Sequence, residues 1–203
     1  MFRAINRKFL MIPTAGVTSP HVRRRYFVEG RSTLRAPSNV SFVADNAWEL
    51  MRLSKNPLIP SRRVSAFASP SQAQAVESAV NTGAEVFKVT FENGDPLVAV
   101  LHGYLDAKFH PDINRLQRAF AAQAMSDAGF KGREHLLIDL FSPLGFKALP
   151  SWQEGDEAFI FSLLAKATFL QDVEVLPFSK VDPSKENCEI WFDQTNGYWL
   201  EEV

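Results

Sequence analysis

Val86-Phe87-Lys88-Val89-Thr90-Phe91, Asn93-Gly94-Asp95-Pro96 and Leu97-Val98-Ala99-Val100-Leu101 follow one another in the middle of the chain. The first run is rich in valine, phenylalanine and threonine, which suits a strand. The second is a turn, and Asn-Gly between two such runs predicts a hairpin. The third is continuously apolar and reads as a more buried strand. Working outward, Ser69-Pro70 predicts an N-cap with proline at the first helical position, and a helix over 70–80 that Asn81-Thr82-Gly83 stops. Upstream, Phe42, Ala44, Ala47, Trp48 and Met51 recur on one helical face and predict a helix over 41–54, ended by Asn56-Pro57 and Ile59-Pro60. Downstream, Asp112 is expected to cap a helix over 113–128 that Gly129 ends, with Ile113, Leu116, Phe120 and Ala124 inward. Leu136-Leu137-Ile138 reads as a short strand or buried turn.

The last third is read as strands: Ala158 to Leu164, Thr168 to Leu176, and a hairpin of Glu189–Phe192 and Tyr198–Leu200 around Asp193-Gln194-Thr195-Asn196-Gly197. Helices in the first two thirds and strands in the last favour an α+β fold over alternating βαβ units. The expected architecture is a mixed, mainly antiparallel sheet with helices packed around it. Residues 1–22 are expected to form an N-terminal extension and 23–203 a single domain, which suits 203 residues.

Composition excludes several classes. A net charge of −1 gives no global field for nucleic acid, so a nucleic-acid partner is not favoured despite Arg23-Arg24-Arg25. A single cysteine, Cys188, excludes an internal disulfide and any multi-cysteine zinc site. The apolar run Phe9-Leu10-Met11-Ile12 is cut by Pro13, well short of the about 7–15 residues of a signal-peptide core. No stretch approaches the ~20 residues of a membrane helix. The expectation is a cytoplasmic protein with no membrane partner. No phosphate-binding glycine loop, HExxH or GxSxG motif occurs. His21, His102, His110 and His135 lack ligand spacing, so no metal is expected. Cys188 has no histidine near it in sequence and reads as an inert thiol.

Two features remain. Arg62-Arg63-Val64-Ser65-Ala66-Phe67-Ala68-Ser69 is an extended segment leading into a helix. Glu154-Gly155-Asp156-Glu157 sets three carboxylates before the apolar run Ala158-Phe159-Ile160-Phe161. The bland reading of the second feature is an acidic turn, and Phe67 in the first reads equally well as a core phenylalanine. The functional reading is a carboxylate placed for chemistry.

Together with an upstream arginine, these features resemble the R-S-E layout of ADP-ribosyltransferases, especially phage-associated and bacterial effector (toxin) members. There a segment of the form Arg-x-x-Ser-x-Phe-x-Ser/Thr precedes a helix. A strand follows, and later a loop ends in a glutamate ahead of an apolar strand. The resemblance spans roughly residues 24 to 176. It implies an ADP-ribosyltransferase-like fold and NAD as substrate, with transfer of ADP-ribose to a macromolecular acceptor such as a protein, in the cytoplasm of the producing, host or target cell. It also implies roles: Glu157 and Ser65 catalytic, and Arg31, Arg35, Arg62, Ser65 and Phe67 binding NAD. Among upstream arginines, Arg31 and Arg35 are preferred, with Arg24, Arg25 and Arg3 left open. Ser65 and Glu157 should then face one cleft from adjacent strands. Gly155 stands where arginine-modifying members carry Gln or Glu, so the acceptor stays open. The alternative reading is a non-enzymatic interaction or assembly protein, for example a phage structural or accessory protein, with a basic N-terminal arm and a partner surface at Tyr198-Trp199-Leu200.

Overall fold

The computed structural model describes residues 1–5, 25–30, 49, 52–53, 56–79, 83–92, 94–113, 115, 118, 131–136, 153–156, 158–159, 162 and 169–203. Eight strands are described: β1 (Phe2–Ile5), β2 (Arg25–Val28), β3 (Ser65–Ala68), β4 (Glu85–Thr90), β5 (Leu97–His102), β6 (Val173–Pro177), β7 (Cys188–Asp193) and β8 (Tyr198–Glu202). One helix, α1 (Gln72–Ala79), joins β3 to β4. The strands form two four-stranded sheets, ordered β1-β4-β8-β2 and β3-β7-β5-β6. All strand pairings are antiparallel. The fold is thus mixed α+β, and the one sheet expected from sequence is two.

Both expected hairpins are corrected. β4 and β5, which the expected hairpin would pair, lie in different sheets, as do β7 and β8 around Asp193–Gly197. Each turn is a corner at which the chain leaves one sheet for the other. At the second corner Gly197 has φ 71, and a Cβ there would meet the Phe27 ring at 2.6 Å, so only glycine fits.

The burial patterns explain the crossover. β5 and β7 are buried almost without interruption, whereas β2 and β4 alternate. A strand covered on both faces reads as a continuous apolar run, and one covered on a single face alternates. The inner face of the second sheet carries Ala66, Ala68, Val98, Val100, Ile190 and Phe192. These pack in one core with Tyr26, Phe87, Val89, Tyr198 and Leu200 of the first sheet. Phe91 closes the seam, with ring centroids 4.9 Å from Phe178 and 5.2 Å from Phe192, both edge-on. Such pairs add about 0.5–1.5 kcal/mol each beyond burial. The outer face of the second sheet, with Ala99, Leu101 and Trp191, is buried too. The Trp191 indole N–H donates to Pro60 O at 2.8 Å, which ties residues 56–63 over that face.

Several local expectations change. Residues 156, 158, 159 and 162 are helical, so the strand expected over Ala158 to Leu164 is not present among the described residues. The Phe159 N–H donates back to Gly155 O at 3.0 Å, an i→i−4 bond that apolar content alone could not have distinguished from a strand. Leu136 is helical, while Leu137 and Ile138, the rest of the expected short strand or buried turn, lie outside the described residues. Phe169–Asp172 is a 3-10 turn, and the strand begins at Val173. The helix after His110 begins at residue 111, and its cap is His110 rather than Asp112: the Asp112 N–H donates to His110 Nδ1 at 3.0 Å. Likewise Ser71, not Ser69, caps α1, its Oγ accepting from the Gln74 N–H at 3.3 Å. Glu49, Arg52 and Leu53 are helical, inside the helix expected over 41–54.

Candidate active site

The segment that carries the resemblance folds as a turn and a strand. The Val64 N–H donates to Ser61 O at 3.2 Å, and β3 then pairs along β7. Ser65 is buried, and its hydroxyl donates to Ser61 O at 2.7 Å, closing the turn that precedes β3. Ser65 and Phe67 share the outer face of the second sheet, because alternate residues of a strand point the same way. Arg62 joins them. Its guanidinium lies 4.6 Å from the Phe67 ring centroid and 5.0 Å from that of Trp191. It forms a two-pronged ion pair with Glu189, at 2.8 and 3.3 Å. Glu189 also accepts the Ala107 N–H at 2.8 Å. Burial pushes the Glu189 carboxyl above its usual range, and Arg62 only partly pulls it back. The structure therefore brings Arg62, Ser65 and Phe67 together, in an interior cluster with Trp191 and Glu189.

Glu157, Arg31, Arg35 and Arg24, expected at the site, lie outside the described residues. Beside Glu157, Asp156 is buried. It accepts from the Gln153 N–H at 2.7 Å, contacts His135 Nε2 at 2.7 Å and lies 3.5 Å from Arg133. Burial opposes its ionisation, but these three partners together hold the carboxyl below its usual range. Arg25 sits on the outer side of the first sheet, its guanidinium 4.7 Å from the Trp199 centroid and 2.9 Å from Glu201. Arg3, on β1, donates to the Tyr198 hydroxyl and lies over its ring.

A second constellation lies on the inner face of the second sheet. The antiparallel register sets His102 opposite Cys188 and Val100 opposite Glu174. Cys188 Sγ is 3.6 Å from His102 Nδ1, and His102 Nε2 is 3.0 Å from Glu174 Oε2. Burial pushes the Cys188 thiol up, so it holds its proton. The three line a cavity of about 140 Å³ with Pro70, Lys180 and Lys185. The Glu174 side chain is 55% exposed and the His102 side chain 31%, so the carboxylate reaches solvent and the imidazole stands between it and the buried thiol. A second cavity of about 390 Å³, lined by Met1, Lys88, Phe91, Phe178 and Ser179, adjoins it through Pro70 and Val181.

Pro70 lies where the two sheets meet. Phe2 and Ser69 exchange both backbone hydrogen bonds, at 2.8 and 2.7 Å, which joins β1 to the end of the β3 segment. Sequence reading missed Cys188, His102 and Glu174 because they come from three strands, 72 and 86 residues apart. Glu174 lies inside the strand expected over Thr168 to Leu176, where no local spacing marks it. Among the described residues no group of three or more His, Cys, Asp or Glu side chains is arranged to hold a metal ion. No helix among them is long and apolar enough to cross a membrane. No protein family, curated protein or solved structure matches the chain.

Proposed function

We propose that the chain is an NAD-dependent ADP-ribosyltransferase whose reacting carboxylate is Glu174, in the cavity beside Pro70. The observation that carries this reading is that Pro70, the residue after Ser69, lines the same cavity as Glu174. The resembling segment thus ends beside a carboxylate carried on an edge strand. The order fits as well: β3, then α1, then β4, and later Glu174 within β6. Glu157 is the competing carboxylate, and its described neighbours are helical.

The chemistry follows from the groups. Breaking the bond between nicotinamide and ribose C1′ leaves positive charge on the ribose, and the bonding pair departs with nicotinamide. An ionised carboxylate held beside that carbon stabilises the charge. An acceptor oxygen or nitrogen then bonds to C1′, and the carboxylate takes its proton. Lys180 and Lys185, at the cavity rim, supply positive charge toward the pyrophosphate. Arg31 and Arg35 keep the pyrophosphate role that the resemblance gives them. Arg62 pairs with Glu189, and Ser65 lies on the opposite face from Glu174. In this reading both are positioning residues that build β3, and Phe67 is part of the same support. The protein acceptor and an NAD site without metal remain part of the proposal.

The test is nicotinamide release from NAD by the wild-type chain, Glu174→Gln and Glu157→Gln. Loss in the first variant alone supports Glu174, and loss in the second alone moves the site to Glu157. The interaction-module reading draws on the outer side of the first sheet, where Phe27 is 45% exposed and its ring lies 5.1 Å from that of Trp199. A wild-type chain that neither binds nor cleaves NAD favours that reading.

A further inference from the structure

His102 has a bonding partner at each ring nitrogen, and the two partners constrain its proton. Glu174 Oε2 lies 3.0 Å from Nε2. An ionised carboxylate only accepts, so Nε2 must carry the hydrogen. In the neutral ring Nδ1 is then bare and accepts. The group facing it at 3.6 Å is the Cys188 thiol, a donor that keeps its proton because it is buried. A carbonyl, Glu186 O at 3.5 Å, is the other acceptor within reach of that thiol. Lys180, Asp182 and Lys185 complete the charged lining of the cavity.

We propose that Cys188, His102 and Glu174 form a directed hydrogen-bond chain, S–H to Nδ1 and Nε2–H to Oε2, in which His102 is the positioning residue for the Glu174 carboxylate. No bond other than these hydrogen bonds is made or broken. The carboxylate and the thiol select the same tautomer, and the Nε2–H of that tautomer fixes the carboxylate in rotation. A carboxylate on an edge strand, more than half exposed, otherwise turns freely. Second-partner fixing of an imidazole tautomer is a general device where histidine serves another group. This role rests on the reading of Glu174 as the reacting carboxylate, whereas the geometry of the chain does not.

The test uses the full chain labelled with ¹⁵N at histidine. The ring resonances of His102 should show a protonated Nε2 and a bare Nδ1, and Cys188→Ala should blur that preference while Cys188→Ser restores it. In nicotinamide-release kinetics His102→Leu should lower kcat about 10- to 100-fold, the range for losing a hydrogen bond to a charged group, with KM for NAD little changed. His102→Gln, whose amide can donate from near the Nε2 position, should recover much of the loss. Cys188→Ala should lower kcat by about fivefold, the equivalent of one neutral hydrogen bond. A protonated Nδ1 with bare Nε2 overturns the chain. An active wild type whose kcat is unmoved by His102→Leu overturns its positioning role. A wild type that shows the expected tautomer but releases no nicotinamide overturns the transferase reading and, with it, that role.

Discussion

Replacing Glu189 with glutamine tests whether Arg62 is part of the fold's interior or a ligand-binding group. Both partners are almost wholly buried, with side-chain exposures of 7% and 11%. Glu189→Gln keeps the volume and an oxygen for the Ala107 N–H, but removes the carboxylate charge that faces the Arg62 guanidinium at 2.8 Å. Removing one partner of a buried pair costs about 3–5 kcal/mol. The rings of Phe67 and Trp191 still face the cation and retain part of its stabilisation, so the expected loss is about 3 kcal/mol. For a chain of this size that lowers Tm by roughly 6–12 °C. Urea unfolding should show a lower midpoint at unchanged slope. The double variant Arg62→Met, Glu189→Met should return to within about 1 kcal/mol of wild type, since apolar replacement of both partners is commonly neutral. A Glu189→Gln variant within about 0.5 kcal/mol of wild type, the range of an ordinary surface change, would refute the reasoning.

Three further outcomes are expected. Ser65→Ala should cost about 1 kcal/mol in urea unfolding, one buried hydrogen bond, and leave nicotinamide release unchanged; a selective loss of release would return Ser65 to the substrate. Asp156 has a depressed folded value, so its contribution is present above about pH 3.9 and is lost as pH falls through the folded value; Asp156→Asn should flatten the acid limb of a stability titration. Gly197→Ala should destabilise by more than about 1 kcal/mol, because the position combines φ 71 with a close ring, and circular dichroism melting will read it.

The strands themselves were legible. Val86–Phe91 and Leu97–Leu101 carry the composition and, in the second, the unbroken apolar run of a strand covered on both faces. Their partners were not legible. Asn93-Gly94 is compatible with a tight hairpin and with a corner between sheets, and only the packing of Phe91 against Phe178 and Phe192 decides between them. Ala158-Phe159 is apolar enough for either element, and a backbone bond to Gly155 makes it helical. The candidate site was half legible. Residues 62–69 stood out as local sequence. Glu174 sits inside the strand expected over Thr168 to Leu176, so nothing local marks it, and the Glu154–Glu157 cluster drew the assignment. The contacts of Cys188 with His102 and of His102 with Glu174 arise from strand register, to which no local spacing corresponds.

The most direct test of the central claim is nicotinamide release by Glu174→Gln beside wild type, with NAD affinity measured on the same preparations. The substitution keeps the side chain's size and removes the charge that a cationic transition state needs. Turnover should fall by orders of magnitude while NAD affinity changes little. Equal turnover in the two proteins would contradict the assignment of Glu174.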